Sequence, residues 1–167
     1  MNWAFIRAIL ILPVNAIIIV PLVLIWASAG TDFAARPVPL ISPAFIVVLL
    51  SSLGGLTLGF WTARDFVTKG EGTPAPWNPP KKFVLSGPYR YLRNPMISGV
   101  FLMLFAEALY FRSWPIAGWL GFFILANLFY IPRFEEPALE KRFGDAYHTF
   151  KENVPRWIPR LTPWRGN

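Results

Sequence analysis

The sequence predicts an all-α protein: a polytopic membrane bundle of about four transmembrane helices, followed by a C-terminal amphipathic helix. Hydrophobic residues make up 54% of the chain and charged residues only 15%, as is typical of integral membrane proteins. The apolar residues are grouped in blocks that can cross the ~30 Å bilayer core as helices. After residue 136 they recur instead at the spacing of one helix face, which indicates an amphipathic helix.

The composition also excludes several classes of function. The chain has no cysteine, and His148 is its single histidine, so we expect no disulfide, no cysteine nucleophile and no metal site. The net charge of +7 comes from Lys and Arg residues that flank the apolar blocks, where the positive-inside rule puts them. Because no soluble basic face is left for phosphates, we expect no nucleic-acid partner.

Residues 1–63 are expected to form two N-terminal spans. The first, Trp3–Ala27, is almost entirely apolar, and its ~25 residues at ~1.5 Å each exceed the bilayer core. The second, Leu40–Ala63, contains Gly55 and Gly59 in GxxxG spacing, so another helix can approach its backbone closely. This glycine face could pack within the monomer or form a homodimer, and the sequence leaves both open.

Residues 64–95 form a predicted cytoplasmic loop. The positive-inside rule places it there because its basic residues outnumber its acidic ones. Its prolines predict a stiff, extended segment that is either a plain connector or a wall of the site. The residues concerned are the basic Arg64, Lys69, Lys81, Lys82, Arg90 and Arg93, the acidic Asp65 and Glu71, and Pro74, Pro76, Pro79 and Pro80, with Trp77 as an interfacial anchor.

Residues 96–132 are expected to form a helical hairpin with the arms Met96–Phe111 and Pro115–Pro132. The connection is so short that the two helices must be antiparallel neighbours. Glu107 then lies at membrane depth, where a carboxylate needs a partner. We expect that partner to be Arg112 in the turn.

The hairpin determines which residues meet at the cytoplasmic face. Counting from Ser113, Pro95 is 18 residues back and Glu135 is 22 residues forward. At the rise of an α-helix both lie ~27–33 Å from the turn, on the same side of the membrane. The predicted neighbours at that face are Arg93, Asn94, Glu135 and Glu136.

Residues 133–167 form the predicted cytoplasmic C-terminal segment. After Glu136, apolar residues recur at helical spacing while charged residues take the other faces, which predicts an amphipathic helix. The apolar positions are Leu139, Phe143, Tyr147 and Phe150. The whole chain, 1–167, is expected to be one multi-pass integral membrane domain in contact with membrane lipids. Four spans place both termini in the cytoplasm.

The charges at the cytoplasmic end of the hairpin fit a zwitterionic ligand. The carboxylates of Glu135 and Glu136 can hold an ammonium group or a ribose diol, and Arg93 can hold a carboxylate through two hydrogen bonds. Gly99, one turn into the helix, permits close approach. S-adenosylmethionine carries these groups. The charges alone leave open that these residues are solvated or pair with one another.

Two separated stretches resemble a known family. GPYRYLRNPMISG (Gly87–Gly99) and the later EEPALEKRFGDAYHTFKENVPRWIPRL resemble the C-terminal catalytic region of small integral membrane methyltransferases. These include isoprenylcysteine carboxyl methyltransferase and the phospholipid N-methyltransferases. In that family an R-[HN]-P-x-x-x-G element and the Glu-Glu pair bind S-adenosylmethionine. The resemblance therefore implies a cofactor site of Arg93, Asn94, Pro95, Gly99, Glu135 and Glu136, supported by Tyr89, Tyr147 and Arg156.

The resemblance also implies the activity. It implies transfer of a methyl group from S-adenosylmethionine to a lipid-like or prenylated acceptor, with S-adenosylhomocysteine as product and Arg93 and Glu135 as the catalytic residues. Many members have His at the position of Asn94, so a histidine base cannot be assumed here. We favour O-methylation of a carboxylate, as in isoprenylcysteine carboxyl methyltransferase. A carboxylate would arrive already ionised and need no base, but the residues alone do not choose between a carboxylate and an amine.

Two alternatives stay open at this point. One is N-methylation of a phosphatidylethanolamine-type headgroup, in which Glu135, Glu136 or water would accept the proton of the amine. The other is a non-enzymatic scaffold or transporter subunit. A transporter would place polar groups or broken helices near the membrane midplane, whereas this chain concentrates its polar residues at the cytoplasmic rim.

Overall fold

The computed structural model describes residues 13–71 and 80–166, and this part of the chain is helical with no strand. The helices are α1 (Asn15–Ser28), α2 (Pro43–Thr68), α3 (Pro95–Phe111), α4 (Trp114–Phe143) and α5 (Asp145–Asn153). The expected all-α class is therefore confirmed. The start of the predicted first span and part of the predicted loop, with Pro74, Pro76, Trp77 and Pro79, lie outside the described residues.

Two of the described helices are long and apolar enough to cross a membrane. These are α2, with a mean hydropathy of 1.9, and α4, with 1.5. Only 11% of the most apolar window of each is buried inside the protein. Their apolar side chains thus face outward, as lipid-facing helices require and the core helices of soluble proteins do not. Because α1 and α3 are shorter apolar helices, the four-span arrangement stays a prediction.

Serine caps and prolines start the two long helices. The Ser42 hydroxyl accepts a hydrogen bond from the Phe45 amide at 3.3 Å, and Pro43 occupies the first position of α2. At α4 the Ser113 hydroxyl accepts from the Ile116 amide at 3.4 Å. Each cap satisfies a backbone donor that has no partner within the helix. Since only Arg112 and Ser113 separate α3 from α4, the predicted hairpin is present.

Helices α2 and α3 approach each other closely through glycines. A Cβ atom on Gly55 would lie 2.7 Å from the Gly99 carbonyl oxygen, and one on Gly99 would lie 2.9 Å from the Gly55 carbonyl oxygen. Any side chain at either position would therefore push the helices apart. Gly55 is thus covered by packing within the monomer, while a Cβ atom on Gly59 would have nothing within 4 Å. The homodimer stays a prediction. Gly55 itself is not accessible to a second copy of the chain.

Helix α4 does not end at Pro132 as the sequence predicted. It runs from Trp114–Tyr130 through one wide π-turn, Ile131–Glu135, into Glu136–Phe143. A proline inside a regular α-helix clashes with the preceding turn, and a wider turn relieves the clash. The helix ends at Gly144, whose φ of +55° breaks it before α5. The amphipathic segment is therefore two pieces rather than one helix.

Two other sequence expectations are corrected. Helix α2 extends to Thr68, so Arg64 and Asp65 are helical rather than in the loop. The Glu107–Arg112 ion pair is absent. Glu107 Oε2 is buried without a hydrogen-bond partner, and Arg112 takes part in none of the ion pairs among the described residues. Arg112 occupies the left-handed position after α3, with φ +47°, and is exposed to solvent.

Candidate functional site

A short loop, residues 87–94, leads into α3 and carries the first half of the site. It begins with a 3₁₀ turn, Gly87–Arg90. Gly87 has φ +53°, and a Cβ atom there would lie 2.5 Å from Trp61 Nε1, so the turn requires glycine for both conformation and space. Pro95, fully buried, occupies the first turn of α3, where proline is favoured.

The C-terminal residues 155–164, which we call the C-terminal strap, run antiparallel to this loop. The Arg93 amide donates to the Pro155 carbonyl at 2.9 Å. The amides of Arg160 and Trp164 donate at 2.9 Å to the carbonyls of Tyr91 and Arg90, respectively. The Asn94 side-chain amide also donates to the Arg156 carbonyl at 3.4 Å. The strap therefore holds the loop through main-chain hydrogen bonds, which few side-chain substitutions can disturb.

Glu136 joins the loop, α4 and the strap. Glu136 is 2% exposed, and its carboxylate accepts from Arg93 Nη1 at 2.9 Å, Arg156 Nε at 2.8 Å and Arg156 Nη2 at 2.8 Å. The hydrogen bond to Glu136 raises the pKa of Arg156, which stays cationic. Two guanidinium groups thus neutralise one buried carboxylate, an arrangement that is costly to break from one side.

Two buried tyrosines border this cluster. Burial raises the pKa of Tyr147, and the negative charge of Glu136 raises it further. Burial likewise raises the pKa of Tyr89, with smaller effects from Glu135 and Asp65. Both phenols therefore remain neutral at physiological pH, and each hydroxyl keeps a proton that it can donate.

Glu135 differs from its neighbour because its carboxylate has no partner. It lies at the end of the π-turn, is half-buried, and makes no hydrogen bond or ion pair among the described residues. The Nε atoms of Arg90 and Arg93 are also buried and lack hydrogen-bond partners. Buried polar groups are normally satisfied, so these two Nε atoms are exceptions, whereas the half-buried Glu135 carboxylate remains accessible to a ligand or to water.

The structure brings most of the predicted site residues into one place. Arg93, Glu136, Tyr147 and Arg156 form the cluster, Asn94 binds the strap, and Tyr89 and Glu135 lie beside it. Gly99 is instead at the α2–α3 contact, against Gly55. The expected proximity of Arg93 and Glu136 is therefore present, and their role in cofactor binding stays a prediction.

Sequence reasoning missed one buried group near this site. Asp65 is 3% exposed and contacts Ser86, the residue immediately before Gly87. The sequence places Asp65 in the predicted cytoplasmic loop. An acidic residue four positions before Lys69, at the end of an otherwise apolar helix, was the available signal, since such a pair is favourable on a helix.

Comparison with known proteins identifies the class. A family model described as "Phospholipid methyltransferase" matches residues 44–146, more than half of the chain, including the loop and the Glu135–Glu136 pair. The chain belongs to the phospholipid methyltransferase family. This membership and the two long outward-facing apolar helices together indicate a membrane methyltransferase of the phospholipid or isoprenylcysteine type.

Particular relatives add little about the substrate. The chain is similar to an uncharacterized protein of Haemophilus influenzae, with 46% identity over 43 residues, which are 24% of this chain and 67% of that protein. No solved structure matches the chain.

Proposed function

We propose that this protein transfers a methyl group from S-adenosylmethionine to a lipid-like acceptor at the cytoplasmic face of the membrane. The observation that carries the proposal is Glu135, a half-buried carboxylate without a partner beside the buried Arg93–Glu136–Arg156 cluster. This arrangement lies largely within the region that matches the family. A scaffold has no need of a carboxylate left unpaired beside this cluster.

The residues present fit S-adenosylmethionine. The guanidinium groups of Arg90 and Arg93 can hold a carboxylate, and Glu135 can accept hydrogen bonds from an ammonium group or ribose hydroxyls. The neutral hydroxyls of Tyr89 and Tyr147 are additional donors. When bound, this cofactor supplies a methyl group on a sulfonium, whose leaving group drives the transfer.

The protein contributes positioning and exclusion of water. Arg93 is held from two sides, because its amide binds Pro155 and its guanidinium binds Glu136. Glu136 cannot rotate without breaking its bonds to both arginines. The site is therefore organised before any ligand arrives, with Glu135 left available.

A carboxylate is the first candidate acceptor. Such a group arrives already ionised and needs no base. The described residues offer no histidine near the site: Asn94 stands where many relatives have His and binds the strap, while His148 is exposed and pairs with Glu152 at 3.4 Å. This favours isoprenylcysteine-type O-methylation.

An amine is the second candidate acceptor. A phosphatidylethanolamine-type headgroup must lose a proton before it can attack a methyl group. Glu135 is a carboxylate without a hydrogen-bond partner that can accept this proton. The description of the matching family as phospholipid methyltransferase favours this candidate as well.

The test uses the purified protein with native membranes and methyl-labelled S-adenosylmethionine. We expect label in the lipid extract, and none with the Glu135→Gln variant. Mild alkali then distinguishes the acceptors: label released as methanol indicates a carboxyl methyl ester, and label that stays on the lipid indicates N-methylation. No labelled lipid together with no measurable affinity for S-adenosylhomocysteine would contradict the proposal and support a scaffold.

A further inference from the structure

Asp65 forms a closed three-residue cluster with Lys69 and Ser86, which we call the Asp65 clamp. Asp65 Oδ1 lies 2.8 Å from Lys69 Nζ, and Asp65 Oδ2 accepts from the Ser86 hydroxyl at 2.7 Å. Lys69 Nζ also donates to the Ser86 hydroxyl at 2.9 Å. The Asp65 side chain is 4% exposed, while that of Lys69 is 51% exposed. The Lys69 side chain therefore lies between the buried Asp65 carboxylate and solvent.

The clamp acts at the entry to the site loop. Ser86 directly precedes the 3₁₀ turn Gly87–Arg90. A Cβ atom on Gly87 would lie 2.9 Å from Asp65 Oδ2, so the loop backbone is pressed directly against the carboxylate. The Phe66 and Tyr89 rings then pack with centroids 5.5 Å apart. Two successive residues of α2, Asp65 and Phe66, thus contact Ser86 and Tyr89.

This attachment complements the one made by the C-terminal strap. The strap and Glu136 hold the loop from Arg90 to Asn94. The clamp holds the near end at Ser86. Tyr89 lies between these two attachments, so losing the clamp should let it move.

We propose that Asp65 is a positioning residue that holds the loop bearing Tyr89 and Arg93 in its binding geometry, acting through Ser86. It does not reach a ligand itself. The inference rests on the proposed function, because the loop is positioned for the cofactor that it would bind.

The test compares Asp65→Asn, Ser86→Ala and the double variant. Ser86→Ala removes the hydrogen bond between α2 and the loop, and Asp65→Asn weakens that bond by replacing its charged acceptor with a neutral amide. We expect each to raise KM for S-adenosylmethionine by about tenfold or more, with kcat at saturating cofactor and KM for the acceptor unchanged. If Asp65 acts through Ser86, the double variant should raise the KM for S-adenosylmethionine no further than the single variants do.

Glu71→Gln is the matched control. Glu71 is an exposed carboxylate that pairs with Lys82, and its loss removes one negative charge near the same loop without touching the clamp. We expect this variant to keep the KM of the wild type. An equal rise in KM would show a general charge effect and would overturn the proposal.

Hydrogen exchange supplies a readout that needs no activity. The amides of Tyr89, Tyr91 and Leu92 are bonded within the loop to the carbonyls of Ser86 and Pro88. We expect the segment 86–94 to exchange faster in Asp65→Asn and Ser86→Ala, and the hairpin turn at residues 110–114 to exchange as in the wild type.

Three outcomes would each reject the proposal. They are unchanged exchange in segment 86–94, an unchanged KM for S-adenosylmethionine in either single variant, and multiplicative effects on that KM in the double variant. A wild-type protein without cofactor affinity but with faster loop exchange in the variants would reject the proposed function alone.

Discussion

At the scale of single residues, the two adjacent glutamates have different duties. Glu136 is saturated by Arg93 and Arg156, whereas Glu135 has no partner among the described residues. A helix separates consecutive side chains by about 100°, so one carboxylate can face the loop and strap while the next faces the site. The Glu-Glu motif in the sequence does not distinguish these two roles.

Substitution by glutamine should separate these duties. We expect Glu135→Gln to abolish measurable affinity for S-adenosylhomocysteine with an unchanged melting temperature. We expect Glu136→Gln to lower stability by about 3 kcal/mol as well, because two guanidinium groups lose their counter-charge. Titration calorimetry and thermal unfolding in detergent measure both quantities. Wild-type affinity in Glu135→Gln would remove the site assignment, and a wild-type melting temperature in Glu136→Gln would remove the structural role of that residue.

At the scale of elements, the C-terminal strap supplies both backbone bonds to the loop and the Arg156 guanidinium. Removing the strap therefore breaks its backbone hydrogen bonds to the loop and leaves Glu136 with Arg93 as its remaining partner. We expect a chain that ends at Val154 to lose cofactor affinity, measured by calorimetry, while keeping its helical circular dichroism. A chain that ends at Trp164 keeps all three backbone hydrogen bonds and is the matched control, with the affinity of the full chain. Full affinity in the shorter truncation would show that the strap is dispensable.

The elements also show which features can be predicted from a sequence. The hairpin and the Arg93–Glu136 contact follow from counting residues along two rigid helices, because the rise per residue is constant. The π-turn at Ile131–Glu135 is a local response to Pro132, and the Asp65–Ser86 contact depends on tertiary packing; helical periodicity encodes neither. The expected Glu107–Arg112 pair failed for a similar reason: the left-handed turn conformation of Arg112 is a local backbone property.

At the scale of the whole molecule, the described charges are strongly asymmetric. The α1–α2 connection lies against the hairpin turn, since the amides of Arg36 and Val38 donate to the carbonyls of Phe111 and Tyr110 at 2.8 and 2.7 Å. That end of the bundle carries only two of the described basic residues, Arg36 and Arg112. The loop, the strap and the Glu135–Glu136 site lie at the opposite end with most of the others, so the positive-inside rule predicts that the site faces the cytoplasm.

This orientation can be tested directly because the chain contains no cysteine. Single cysteines at Arg36, Arg112, Lys82 and Glu152, all exposed positions, would be probed in intact cells with a membrane-impermeant maleimide. We expect Arg36→Cys and Arg112→Cys to react from outside, and Lys82→Cys and Glu152→Cys to react only after permeabilisation. The opposite pattern would invert the topology. Reaction of the first two from different sides would contradict the shared end seen in the fold, and with it the placement of the site where a cytoplasmic cofactor can reach it.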